Sequence, residues 1–186
     1  MRIIAGRAGG RRLEVPARGT RPTPDRVREA LFSALEAGPG LAGAAVLDLC
    51  AGSGALGLEA LSRGAAHALF VESDRRAAGV LRRNIAALGL GGAVRAAPVA
   101  TVLAGPADRS YDIVLADPPY AVGDDEVARW LAAAERGGWY APEATVVVER
   151  DMRSGPFPWP EPLHGGRERR YGDTTLHVGL RYGPGV

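Results

Sequence analysis

From Ala45 the chain runs Ala-Val-Leu-Asp-Leu, breaks into Cys50-Ala51-Gly52-Ser53-Gly54, and continues at once into a helical pattern from Ala55 to Ser62. A short apolar strand feeding a helix through a glycine-rich turn admits few folds, because a strand and a helix so joined must pack face to face. The alternation then repeats. Strand patterns at 68–71, 113–116 and 145–149 alternate with helical patterns at 75–88 and 126–135, and a weaker unit lies at 94–103. Strands apolar on both faces between helices predict an α/β fold with a doubly wound, mostly parallel sheet. Residues 168–171 and 175–182 read as a terminal antiparallel pair, and the Gly- and Pro-rich stretch 153–166 as a long loop. With 186 residues there is room for one such domain.

The N-terminal portion reads differently. Two β-prone stretches, 2–5 and 12–15, flank Gly6-Arg7-Ala8-Gly9-Gly10 and predict a β-hairpin. Residues 1–22 are therefore set apart as a basic extension, and 23–186 as the main domain. Thr23 is placed as the cap of a helix with Pro24 in its first position, carrying Val27, Ala30, Leu31, Ala34 and Leu35 on one face. All 23 basic residues are arginine, and residues 1–28 hold eight of them against Glu14 and Asp25, although the whole chain carries only +2. A basic arm on a mildly acidic body suits a phosphate-backbone partner, and equally a solvated face with no ligand.

In a doubly wound sheet, ligands bind beyond the carboxyl ends of the strands. Gly52, Gly54 and Gly57 form a GxGxxG pattern, and Glu72 ends the following strand. Glycines let the backbone approach a nucleotide, and a strand-end carboxylate accepts ribose hydroxyls. That much fits a dinucleotide or S-adenosylmethionine (SAM). Asp48 favours SAM: a carboxylate there attracts an ammonium, whereas it repels a pyrophosphate.

The strand at 113–116 ends in Asp117-Pro118-Pro119-Tyr120. An exocyclic amine is a poor nucleophile because its lone pair is delocalised into the ring. Methylating it calls for acceptors that hold the N–H groups while the nitrogen pyramidalises. The Asp117 carboxylate and the Pro118 carbonyl supply two acceptors, Pro119 stiffens the turn, and Tyr120 offers a stacking face.

Other classes are constrained by what the sequence lacks. Cys50 is the sole cysteine, and the three histidines are scattered, so no disulfide scaffold or metal-ligand cluster is expected. No apolar run of transmembrane length or leader-like start is read, so a cytoplasmic location with no membrane partner is expected. Cys50 itself lies far in sequence from the base-handling motif and reads as a small semi-buried residue. Trp159, among prolines, reads as either an RNA-stacking residue or a loop plug.

The order Asp48 to Gly57, Glu72, then Asp117 to Tyr120 resembles class I SAM-dependent methyltransferases of the amino-methylating type. Arg2 to Gly6, Gly10 to Leu13, Arg21 to Thr23, Asp25 to Glu29, Ala51 to Arg63 and Tyr171 to Thr174 resemble the RsmD family, over nearly the whole chain. The resemblance implies a Rossmann-like, seven-stranded sheet with an antiparallel C-terminal strand. It also implies methyl transfer to the N2 amine of a guanine in bacterial 16S ribosomal RNA, either naked or within an assembling small subunit, by a protein expected to be a monomer. It assigns SAM contacts to Asp48, Ala51, Gly52, Ser53, Gly54, Glu72 and Asp117, and base handling to Asp117, Pro118, Pro119 and Tyr120. RNA contacts fall to Arg7, Arg11, Arg12, Arg21 and Arg26. Many class I enzymes have Asp or Asn for adenine where this chain reads Ala96-Ala97-Pro98-Val99, so adenine recognition falls to the backbone near Val99 and to apolar packing. Two alternatives stay open: a DNA or RNA adenine-N6 methyltransferase, and an NAD-dependent oxidoreductase.

Overall fold

The structure is a computed structural model that describes residues 1–17 and 22–182. Its sheet is built from β1 (Ala45–Leu49), β2 (His67–Val71), β3 (Ala93–Arg95), β4 (Tyr111–Ala116), β5 (Tyr140–Asp151), β6 (Leu163–Gly165), β7 (Arg169–Tyr171) and β8 (Thr174–Arg181). The order is β3-β2-β1-β4-β5-β8-β6, with β7 also paired to β8. β1 to β5 are mutually parallel, and β8 runs antiparallel to β5. The outermost column is shared: β6 pairs with residues 179–181 of β8 and β7 with residues 174–176. The expected seven columns therefore hold eight strands, and β6 falls inside the stretch read as loop.

Trp159 explains why a strand can form there. Gly165 and Gly179 face each other across β6 and β8, and a Cβ on either would lie within 2.7 Å of the Trp159 ring. The two glycines make a slot for the indole, whose edge also meets Phe157 with centroids 4.7 Å apart. Trp159 is thus a plug of the loop, which settles the choice left open by the sequence.

Helices α1 (Asp25–Ala37), α2 (Ala55–Ser62) and α3 (Arg75–Leu88) cover one face of the sheet, and α4 (Val99–Ala104) and α5 (Asp124–Arg136) the other. Alternate residues of β1 serve the two layers: Val46 packs toward α1 and α2, Leu47 and Leu49 toward α4 and α5. The strand order reverses between β2-β1 and β1-β4, so the loops after these strands diverge and leave a crevice at the carboxyl edge.

The N-terminal segment is not a regular hairpin. Its limbs pair only briefly, at the Arg2–Arg12 bridge, where Ile3 donates to the Arg11 carbonyl and Leu13 to the Met1 carbonyl, each at 2.9 Å. Amides between the limbs are drawn to α2: Ile4 and Ala5 donate to the Glu59 carboxylate at 2.8 and 3.1 Å, and Ala8 donates to Ser62 Oγ at 2.9 Å. Gly6 lies so close to Ser62 that an added Cβ would fall 2.0 Å from its carbonyl oxygen. Ile3, Ala8 and Leu13 are buried in one cluster with Leu58 and Leu61, so this segment belongs to the core of the main domain.

Candidate active site

The β1–α2 turn is shaped by close approach. Gly54 adopts φ 88°, and a Cβ there would meet Leu81 at 2.5 Å. Gly57, inside α2, would drive a Cβ to 2.3 Å from Phe70 on β2. Both glycines let α2 sit directly on the sheet. Cys50 is the one non-glycine residue with positive φ, 59°, among those described. A left-handed cysteine at the end of β1 is strained, and such strain concentrates where a loop is shaped for a ligand.

A cleft of about 440 Å³ opens over this turn. The β1–α2 loop contributes Asp48, Cys50, Ala51, Gly52 and Ser53, and the end of β2 contributes Glu72, Ser73 and Asp74. The loop after β4 contributes Asp117, Pro118, Pro119 and Tyr120. The structure thus brings together the residues assigned from sequence to cofactor and to base, with two differences. Gly54 lies beneath the lining and acts through the turn. Val99 is not part of the lining: as the first residue of α4 its side chain is buried in the cluster on the other face of the sheet.

The carboxylates that line the cleft are held by the backbone. Asp48 is 1% exposed and accepts the Gly57 amide at 2.9 Å, satisfying an otherwise orphaned N–H in the first turn of α2. Glu72 accepts the Gly52 amide at 2.9 Å through Oε1 and the Asp74 amide at 2.8 Å through Oε2. Glu72 therefore ties the tip of the glycine loop to the start of α3, where Asp74 caps the helix by accepting from the Ala77 amide. Each oxygen keeps a second lone-pair site beyond the amide it accepts.

Two site residues were missed from the sequence. Glu149 closes the apolar run Val146 to Val148 and gives no periodic signal, yet in β5 it lies beside the position following Ala116, next to Asp117. Thr23, read as a helix cap, is not one. Pro24 takes that position without a side-chain bond, while Thr23 Oγ1 donates to Glu149 Oε2 at 2.8 Å and lies 3.4 Å from Asp117 Oδ2. The neighbouring Arg150 is buried and braces the same loop: it donates to the Val122 carbonyl and pairs with Asp124 at 2.7 Å.

This crowding of acids shifts their protonation. Burial raises Asp48 to about 7, opposed by the Gly57 hydrogen bond and reinforced by Glu72. Asp117 rises well above the usual carboxylate range through burial, then through the charges of Glu149 and Asp48. Glu149 is raised by burial. Burial and the surrounding Glu72, Asp117 and Asp48 push the Cys50 thiol up, so it stays protonated and is no thiolate nucleophile. Among the described residues, no ion pair neutralises Asp48, Asp117 or Glu149, and no three His, Cys, Asp or Glu side chains are grouped to hold a metal ion.

The arginines divide. Arg26 lines a second hollow beside the cleft, near the β7–β8 turn. Arg7 lies at the opposite end of α2, where its amide donates to the Ser62 carbonyl at 2.8 Å, and Arg11 donates to the Ala87 carbonyl at the end of α3 at 2.7 Å. Arg12 is exposed on the same segment. Arg28, counted in the basic arm, is fully buried, pairing with Asp25 at 2.6 Å and lying 3.6 Å from Glu59. Arg21 lies outside the described residues.

A switch-point cleft beneath a glycine turn, with a strand-end glutamate and an Asp-Pro-Pro-Tyr loop, defines a protein of the class I methyltransferase fold. At 12% identity the same fold is found in magnesium protoporphyrin IX methyltransferase (ChlM) of Synechocystis PCC 6803, with a TM-score of 0.63 over 88% of this chain and 86% of that one. Within the class, the chain belongs to the RsmD family: the family model described as Conserved hypothetical protein 95 matches residues 1–179. It is 43% identical over 156 residues to ribosomal RNA small subunit methyltransferase D of Escherichia coli strain K12, spanning 83% of this chain and 77% of that protein. The solved structure of yhhF from Escherichia coli matches it with a TM-score of 0.85 at 40% identity, covering 99% of each chain.

Proposed function

We propose that this protein transfers a methyl group from SAM to the exocyclic N2 amine of a guanine in small-subunit ribosomal RNA. The observation that carries the reading is the acidic cleft itself: Asp48, Glu72, Asp117 and Glu149 all line it. Such a lining repels a pyrophosphate and attracts an organic cation, which counts against a dinucleotide. SAM, with its ammonium and sulfonium, fits this donor set, and when bound it supplies an electrophilic methyl for an amine lone pair to take. The name of the Escherichia coli relative supports ribosomal RNA as the acceptor.

The roles of the chain's own residues follow from their positions. Glu72 receives the ribose hydroxyls, and the tight path of residues 51–54 places backbone amides against the ligand. Asp48, buried and paired with no cation among the described residues, meets the ammonium. Asp117 and the Pro118 carbonyl accept from the target amine, holding it so that its lone pair leaves conjugation as the nitrogen pyramidalises. Tyr120, 54% exposed at the rim, gives the extruded base a face to stack on. Arg7, Arg11, Arg12, Arg21 and Arg26 contribute phosphate contacts, Arg26 from the hollow beside the cleft.

The test is mass analysis of nucleosides from small-subunit RNA treated with enzyme and labelled SAM. Label in N2-methylguanosine supports the reading, and label in N6-methyladenosine or on a ring carbon refutes it.

A further inference from the structure

The second hollow, about 200 Å³, adjoins the cleft. Arg26, Tyr171 and Asp173 line the hollow alone, whereas Pro22, Tyr120 and Glu149 line both spaces. Glu149 therefore stands at the opening between them, on the strand adjacent to Asp117, with the Thr23 hydroxyl fixing its Oε2 at 2.8 Å. Binding the cofactor and holding the amine leave this carboxylate without a task. With the Thr23 hydroxyl on Oε2, the carboxylate's remaining lone-pair sites can accept a donor that enters from the hollow.

Guanine offers such a donor. Its N1–H lies beside the N2 amine on the same edge, so a base whose amine reaches Asp117 carries a second donor alongside. Adenine presents an unprotonated N1 beside its amine, and an ionised carboxylate, which can only accept, repels that lone pair. On the reading given under Proposed function, we propose that the second hollow seats the target base and that Glu149 accepts the N1–H of guanine, making it the residue that selects guanine over adenine. Thr23 is its positioning residue: the hydroxyl uses one of the carboxylate's lone-pair sites and leaves others for the base. Burial alone raises the Glu149 carboxyl, and a donor from the base favours the ionised form again.

The experiment uses 2,6-diaminopurine, which keeps the 2-amino group but has an unprotonated N1. Small-subunit RNA is ligated around a synthetic oligonucleotide bearing either guanine or diaminopurine at the nucleotide that the wild-type protein labels. Methyl transfer to each is measured for wild type and Glu149→Gln, with SAM affinity as a control. The wild type should favour guanine by at least about a hundredfold in kcat/KM, because a site built around a donor rejects its absence strongly. Glu149→Gln, whose amide can donate to N1, should lose about tenfold on guanine and gain on diaminopurine, shrinking the ratio by about a hundredfold. The ratio is internal to each protein, so a partly folded variant does not distort it. An unchanged ratio in Glu149→Gln, with N2-methylguanosine as the wild-type product, would overturn the role of Glu149 alone. Wild-type label elsewhere than on guanine N2 would overturn this proposal together with the function it rests on.

Discussion

Glu72 Oε1 accepts the amide of Gly52 at 2.9 Å, joining the end of the second strand to the tip of the glycine turn. One carboxylate thus holds the loop and faces the cleft. Glu72→Ala should remove charge-assisted hydrogen bonds to the ribose, costing about 1.5 to 3 kcal/mol. Isothermal titration should then show SAM affinity down roughly ten- to a hundredfold. Unaltered affinity would mean that the ribose lies elsewhere.

Asp117 should act on turnover. Because the hydrogen bond it accepts strengthens as the amine pyramidalises, Asp117→Ala should lower kcat by about a hundredfold or more with little change in SAM affinity. Tyr120→Ala should instead weaken capture of the base by about 1 to 3 kcal/mol, seen chiefly in KM for RNA. Equal effects of the two variants on kcat and KM would contradict this division.

Asp48 makes stability and binding depend on pH in opposite senses. Its folded pKa, raised from 3.8 to about 7, means that the native state keeps a proton the unfolded chain has already released. Its contribution to stability is therefore whole below the unfolded value and is lost as pH rises through the folded one. An ammonium favours the ionised form, so SAM affinity should climb with pH and level off above about 7. Asp48→Asn should flatten both trends, as measured by urea unfolding and by calorimetry across that range. A pH dependence of SAM binding identical to wild type would remove Asp48 from the cation site.

Glu59 is fully buried, accepting from Ile4 and Ala5 and from Arg63 at 2.9 Å, with Arg28 beside it. Removing it takes a buried carboxylate from two guanidinium groups, leaving Arg28 with Asp25 and Arg63 with Glu29 and Glu36. Glu59→Ala should cost about 3 to 5 kcal/mol in urea unfolding. A Glu59→Met, Arg28→Leu double variant should recover part of that loss, and no recovery would show that the amides of Ile4 and Ala5 account for most of it.

Neutralising Arg7, Arg11 and Arg12 together should leave SAM binding intact and reduce the slope of log RNA affinity against log salt by about two units, at ~0.7 per phosphate contact for single strands. A slope equal to wild type would return these arginines to a solvated face.

The glycine turn, Glu72 and the Asp-Pro-Pro-Tyr loop were legible because each combines local chemistry with a fixed place after a strand. Glu149 and Thr23 were not. Glu149 matters through its register with the strand next to it, which no local pattern reveals, and Thr23 satisfied the local rule for a cap while its hydroxyl was taken by a partner 126 residues away. Arg28 misled for a related reason: arginines counted along a sequence look alike, and only packing shows which one is internal.

The anchoring of residues 4, 5, 8 and 14 to Glu59, Ser62 and Asn84 sets an order of events on the ribosome. These residues precede all three partners in the chain, so their docking surface is complete only when Asn84 has left the exit tunnel, several seconds after Glu14 at about 5 to 20 residues per second. Until then their amides belong to water, and Glu59 keeps its charge in the open. Residues 4 to 14 are thus made before the groups that secure them, so the nascent chain exposes a protease-sensitive segment that the folded protein holds against α2 and α3.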